Sequence, residues 1–175
     1  MKINNLEIKS FSPKDTQSIG EIIGRNAKPG QIYLLTGSIG AGKTCLVQGI
    51  LWGLDNPDYV RSPTFIIATE YTGKIPLFHI DLYRIDLPFS TEELGIDEYL
   101  YGNGITVIEW AEKAPHLFKD DHIHINIDIS EEENQRNINF SYSSEIYAST
   151  INDLIILMNN NNKMDVHGTT NRYID

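Results

Sequence analysis

Gly37-Ser38-Ile39-Gly40-Ala41-Gly42-Lys43-Thr44 completes the pattern G-x-x-x-x-G-K-[ST], a spacing that suits the phosphates of a nucleotide. Glycines let the backbone curl so that N–H groups point inward at phosphate oxygens, and a helix starting at the loop's end adds its positive dipole end there. Lys43 supplies a mobile point charge for the β- and γ-phosphates, and the Thr44 hydroxyl is placed to ligate Mg2+. A hard cation also wants a carboxylate. Glu109, which ends the apolar run Ile105-Thr106-Val107-Ile108, either fills that role or is a solvent-facing strand terminus, and the phosphate loop favours the metal role. His79-Ile80-Asp81-Leu82-Tyr83-Arg84 alternates polar and apolar side chains, which predicts that His79, Asp81 and Tyr83 share one face of a strand. Asp81 can act through a metal-bound water or orient an attacking water, and Arg84 can pair a carboxylate or reach a phosphate. His79 reads as a structural histidine or a catalytic one, and Tyr83 as sheet packing or a site residue. Ser62-Pro63-Thr64 reads as a loop sensing the γ-phosphate or as a plain turn.

These groups need elements to hold them. Ile32-Tyr33-Leu34-Leu35-Thr36 reads as a buried parallel strand feeding the loop, and Cys45 to Leu51 continues from it as a helix. Lys2 to Ile8 suggests a short, partly exposed first strand. Ser12 before Pro13 reads as an N-cap with proline at the first helical position, opening a helix through about Asn26 that the Lys28-Pro29-Gly30 turn ends. Beyond the break at Asp55-Asn56-Pro57-Asp58, Phe65 to Tyr71 and Leu77 to Asp81 form a predicted antiparallel hairpin around Thr72-Gly73-Lys74, inside an otherwise parallel sheet. Thr91-Glu92-Glu93-Leu94 opens an acidic helix reaching about Leu100. Two strands near 122–129 and 136–142 and a helix near 145–158 complete the domain. The expected fold class is therefore α/β: a three-layer sandwich of the phosphate-loop (P-loop) nucleoside triphosphatase (NTPase) type, with a mostly parallel central sheet and an antiparallel hairpin insertion. The domain spans residues 1–158, and 159–175 form a polar tail for which disorder is expected.

Composition narrows the function classes. The 175 residues with 41% hydrophobic content suffice for one core, and no run is long and apolar enough to span a bilayer. The start Met1-Lys2-Ile3-Asn4-Asn5 lacks the layout of a signal peptide, and the single cysteine, Cys45, can form no internal disulfide; both predict a cytoplasmic protein. A net charge of −10 argues against direct gripping of nucleic acid, which draws on clustered lysines and arginines.

Taken in order, the phosphate loop, Ser62-Pro63-Thr64-Phe65, His79-Ile80-Asp81-Leu82-Tyr83-Arg84, Glu93-Leu94-Gly95 and Ile108-Glu109-Trp110 resemble the motif set of the TsaE family, also called YjeE, over about residues 1–155. The resemblance implies a small ATPase of tRNA threonylcarbamoyladenosine formation, acting with TsaB and TsaD homologues and meeting tRNA only through them. It implies that Gly37, Ser38, Gly40, Ala41, Gly42, Lys43, Thr44 and Cys45 hold the triphosphate of ATP. Thr44 and Glu109 would hold Mg2+, Asp81 would be catalytic or bind the metal or its water, and Glu109 would be catalytic with it. It places Trp110 and Glu112 where the family contacts nucleotide, the start of the first helix from Ser12 on the adenine side, Thr64 near the γ-phosphate, and Arg136 on the nucleotide rim. The resemblance favours ATP over GTP; the Asn-Lys-x-Asp match, Asn162-Lys163-Met164-Asp165, falls in the polar tail outside it. Two other classes share the loop: a small-molecule kinase, which needs a lid rich in arginine that is not visible here, and a nucleotide-dependent switch with little turnover.

Overall fold

The computed structural model describes residues 2–61, 68–85, 95–115, 118, 121–160, 166–167 and 172–173. Ser62, Pro63, Thr64 and Thr91 to Leu94 lie outside the described residues.

The strands are β1 (Lys2–Ser10), β2 (Ile32–Thr36), β3 (Ala68–Tyr71), β4 (Leu77–Asp81), β5 (Ile105–Glu109), β6 (Ile123–Ile129), β7 (Arg136–Tyr142), β8 (Val166–His167) and β9 (Arg172–Tyr173). The helices are α1 (Pro13–Asn26), α2 (Lys43–Gly53), α3 (Asp97–Leu100) and α4 (Ala148–Asn160). One sheet runs β3-β4-β5-β2-β6-β7-β1-β8, with β9 also on β1. Its centre, β4-β5-β2-β6, is parallel. Both flanks are antiparallel: β3 on β4 at one edge, and β7, β1, β8 and β9 at the other. The sheet is thus more mixed than the mostly parallel one expected, because the β6–β7 hairpin and the long β1 extend it with antiparallel pairs. The hairpin that the sequence suggested, β3–β4, sits at the edge rather than inside the sheet.

β2 is buried along its whole length, and its alternating side chains feed two cores. Tyr33 and Leu35 join Ile19, Ile23, Leu46, Ile50 and Phe140 under α1 and α2, whereas Ile32 and Leu34 join Ile80, Ile108 and Leu100 on the other face. α1 starts as its residues dictate: Ser12 Oγ accepts from Asp15 N at 3.1 Å, with Pro13 in the first turn. α1 and α2 lie backbone to backbone. A Cβ added at Gly49 would stand 2.1 Å from the Gln17 carbonyl oxygen, and one at Gly24 would stand 2.2 Å from that of Ile50. This close contact fixes α2, and with it the loop at its N-terminus. Within the described part of the acidic helix expected from Thr91 to about Leu100, only Asp97–Leu100 is helical, with Gly95 at a left-handed φ of 65° in a turn just before it.

Candidate functional site

The loop between β2 and α2 sits at the C-terminal end of the central parallel strands, where open α/β sheets hold their ligands. Gly37, Gly40 and Gly42 take φ of 131°, 75° and 109°, which only glycine adopts without strain, and Gly42 is the residue before α2. Beside the loop opens a cavity of about 330 Å³ lined by Gly40, Gly42, Lys43, Thr44, Asp81 and Glu109, together with Ile39, Cys45, Tyr83 and Trp110.

Register explains why these side chains meet. Asp81 pairs with Glu109 across β4 and β5, and Glu109 pairs with Leu35 on β2, so both carboxylates stand at the level where the loop departs. Thr44 Oγ1 donates to Glu109 Oε1 at 2.8 Å and stands 3.2 Å from Oε2. His79 Nε2 lies 2.9 Å from the same Oε1, with His79 fully buried and Glu109 only 3% exposed. Lys43, also buried, donates to the carbonyl oxygens of Gly37 at 2.6 Å and Ser38 at 3.0 Å. Its ammonium rests 3.7 Å from the centroid of the Trp110 ring. Burial pulls Lys43 below its usual range, against which Glu109, Glu112 and Asp81 pull upward. Trp110 itself has φ of 61° and ψ of 36°, left-handed backbone that costs a non-glycine residue about 1–3 kcal/mol. Its ring is held by Lys43 and by Tyr83, centroid to centroid 4.8 Å.

Lys43, Thr44, Asp81, Glu109, Trp110, Gly40, Gly42 and Cys45 come together on the cavity. Gly37 and Ser38 serve through their carbonyls, and Ala41 is buried beneath the loop. Ser12 spends its hydroxyl on capping α1, whose start touches the loop helix where Cys45 Sγ lies 3.4 Å from the Pro13 oxygen. Glu112 is exposed in the short 3-10 turn after Trp110 and is not among the cavity-lining residues. Arg136 reaches the loop from behind: Nε donates to Ala41 O at 2.9 Å and Nη1 to Gln135 O at 2.8 Å, with Nη2 3.5 Å from Gly40 O. Tyr83 does not share a strand face with His79 and Asp81, because β4 ends at Asp81, whose Oδ1 accepts from Tyr83 N at 2.9 Å and turns the chain. Thr64 lies outside the described residues. Spacing along the chain carries no signal for the His79–Glu109 bond, the Lys43–Trp110 contact or the Arg136 brace, since each depends on strand register and hairpin placement.

Among the described residues no three His, Cys, Asp or Glu side chains form a metal cage. The Thr44 hydroxyl and Glu109 carboxylate, with Asp81 alongside, make an all-oxygen, incomplete donor set. Such a set fits a hard cation that keeps water and brings phosphate oxygens with it, as Mg2+ does. Among the described residues the lining holds one cation, Lys43, and two carboxylates, so positive charge brought in with a polyanion would strengthen its binding here. Among the described residues no helix is long and apolar enough to cross a membrane.

Residues 10–138 match the family model for the threonylcarbamoyl adenosine biosynthesis protein TsaE. The tRNA threonylcarbamoyladenosine biosynthesis protein TsaE of Bacillus subtilis is 40% identical over 110 residues, covering 62% of this chain and 68% of that protein. Its counterpart from Treponema pallidum is 38% identical over 105 residues, covering 60% and 78%. The crystal structure of Bacillus subtilis YdiB matches with a TM-score of 0.74 at 30% identity, covering 89% of this chain and 97% of that one.

Proposed function

The chain belongs to the TsaE family of threonylcarbamoyl adenosine biosynthesis proteins, and from that premise we propose that it is a Mg2+-dependent ATPase of phosphate-loop type. It acts in the cytoplasm on a TsaB–TsaD complex to support tRNA N6-threonylcarbamoyladenosine formation. One observation carries the reading: Lys43, Thr44, Glu109 and Asp81, from three separate elements, converge on one cavity beside a glycine-rich loop at a helix N-terminus.

In this reading the loop amides and the α2 N-terminus bind the phosphates, and Lys43 exchanges the Gly37 and Ser38 carbonyls for phosphate oxygens. Thr44 and Glu109 hold the metal. Bound there, Mg2+ neutralises charge on the β- and γ-phosphates, which the acidic lining favours. Asp81 orients the attacking water and accepts hydrogen bonds from it. The acidic chain then docks on a protein partner rather than on tRNA.

The test is phosphate release from ATP by this protein with a purified TsaB–TsaD complex, beside its Lys43→Ala variant. Turnover is expected with Mg2+, enhanced by the complex and abolished in the variant, whose lost point charge no other lining residue replaces. Equal nucleotide affinity and equal hydrolysis in the variant would refute the assignment. Loss of the modified nucleoside from tRNA in cells depleted of the protein tests the pathway separately.

A further inference from the structure

Among the described residues, His79 is the fully buried titratable side chain near the site that the proposed reaction does not use. It stands on β4 opposite Val107, two residues before Asp81, on the face that also carries Glu109. One ring nitrogen, Nε2, meets Glu109 Oε1 at 2.9 Å; the other, Nδ1, is buried with no partner among the described residues. A histidine kept for packing alone would be better replaced by an apolar side chain, which leaves no buried nitrogen unsatisfied. The asymmetry is informative. The tautomer with its proton on Nε2 donates to the carboxylate and leaves only an unfilled lone pair on Nδ1, whereas a proton on Nδ1 would bury an unpaired donor.

We infer that His79 is a positioning residue: its Nε2–H fixes Oε1 of Glu109 so that the carboxylate presents itself to the metal of a Mg2+–nucleotide. This rests on the proposed reading of the site. Glu109 has two described anchors, and they differ in kind. Thr44 lies on the cavity side and in the proposed reading turns its oxygen to the metal, so its bond to Glu109 is remade on loading. The bond from His79 comes from within the sheet, away from the cavity lining, and is free to persist through loading. Without it a buried carboxylate would swing toward whatever donor remains. Outer partners of metal-binding side chains matter in this way, and their loss costs about 10–100-fold in metal affinity or activity.

The experiment compares His79→Gln, His79→Asn and His79→Leu with the parent protein by calorimetric ADP affinity in excess EDTA and in saturating Mg2+. The ratio of the two affinities isolates the metal's contribution without any turnover. Glutamine carries an N–H to the position of Nε2; asparagine, one methylene shorter, does not reach Glu109; leucine fills space only. The ratio is expected to fall about 10-fold or more in the Asn and Leu variants and to stay within about threefold in Gln, with EDTA affinities unchanged throughout. A merely structural role would instead shift melting temperature and EDTA affinity together, with no rescue by glutamine.

An unchanged ratio in folded Asn or Leu variants overturns the inference. Should both fail to fold, 15N imidazole spectra of the parent decide: the Nε2–H tautomer persisting with Mg2+ and ADP bound supports it, and its loss overturns it. If the parent itself shows no gain in affinity from Mg2+, the metal–nucleotide reading falls and this inference with it. A gain in the parent that the His79 variants fully retain removes only the role given to His79.

Discussion

Arg136→Gln tests whether the loop is held in its binding shape before any ligand arrives. In a trans peptide the carbonyl and the next N–H point in opposite directions, so the guanidinium that takes the Ala41 oxygen at 2.9 Å from behind turns the Gly42 N–H toward the other side of the loop. A hydrogen bond to a charged group contributes about 1.5–3 kcal/mol, and the contact from Nη2 to Gly40 O, at 3.5 Å, adds little. Arg136 is half-buried, so solvent screening brings the usable part to about 1–2 kcal/mol. Glutamine leaves the loop to order itself on binding, and ADP affinity in EDTA should fall about 5- to 30-fold. Loss of a positive charge near phosphates would also weaken binding, but that part fades as salt shortens the Debye length from about 10 Å at 0.1 M to about 3 Å at 1 M. Arg136→Lys keeps the charge and lacks the fork, so it should lose most of the same affinity. Titrations of both variants at low and high salt decide the matter. Full affinity in Arg136→Lys, or a deficit in Arg136→Gln that vanishes with salt, would refute the brace and leave a plain charge effect.

Further outcomes follow from the same geometry. Glu109→Gln should weaken Mg2+-dependent nucleotide binding and turnover together, whereas Asp81→Asn should keep affinity and lose about 10²–10⁴ in rate, as expected for a positioned acid–base group; paired calorimetry and single-turnover assays would show a reversed pattern if the two roles are exchanged. Gly49→Ala puts a Cβ 2.1 Å from the Gln17 oxygen, against backbone that cannot swing aside, so despite alanine's higher helix propensity it should destabilise by about 1–3 kcal/mol, read as a melting temperature lower by roughly 2–10 °C. Nucleotide should draw Lys43 off the Trp110 ring; with Trp52→Phe leaving Trp110 as the sole tryptophan, its emission should change on ADP binding, and unchanged emission at saturating ADP would argue that the contact persists.

Much of this architecture is legible locally. The cap at Ser12, the buried run Ile32–Thr36, the glycine-rich loop before α2 and the β3–β4 turn are each written in a few neighbouring residues, because caps, periods and turns are short-range physics. What pairs with what is not. β1 and β7 alternate Leu6 and Ile8 against Ile138 and Phe140 with the same period that a parallel pair would show, so the sequence period does not reveal the antiparallel flank. Extending strand alternation to Tyr83 failed because Asp81 is both a site carboxylate and a turn former, and its bond to Tyr83 N ends β4. Glu109 and Asp81 were recognisable as candidates from the ends of apolar runs, but the register that sets them side by side, and that brings His79 to Oε1, exists only in the folded sheet.

The charge of the cavity also bears on the choice between kinase and hydrolase. Transfer of a phosphoryl group to a bulky acceptor calls for cations over the moving group, supplied in kinases by an arginine-rich lid. This chain has five arginines. Arg25 bonds Glu21 at 2.6 Å, Arg136 faces the back of the loop, and Arg172 lies in β9, which leaves only Arg61 and Arg84. Two arginines, one of them next to the cavity-lining Tyr83, do not make such a lid, whereas water needs only a carboxylate to orient it, and Asp81 stands in the cavity. The same shortage bears on rate. With Lys43 opposed by Glu109 and Asp81, charge building on the phosphate oxygens in the transition state would meet, from this chain, only that one lysine and the loop and helix amides. Under the proposed function, turnover by the isolated protein is therefore slow, and a partner that inserts a single cation has most of the acceleration still to give, of the order of 10³–10⁵ where an arginine is supplied in trans. Under the proposed function, stimulation by a protein complex would then follow from the cavity's charge.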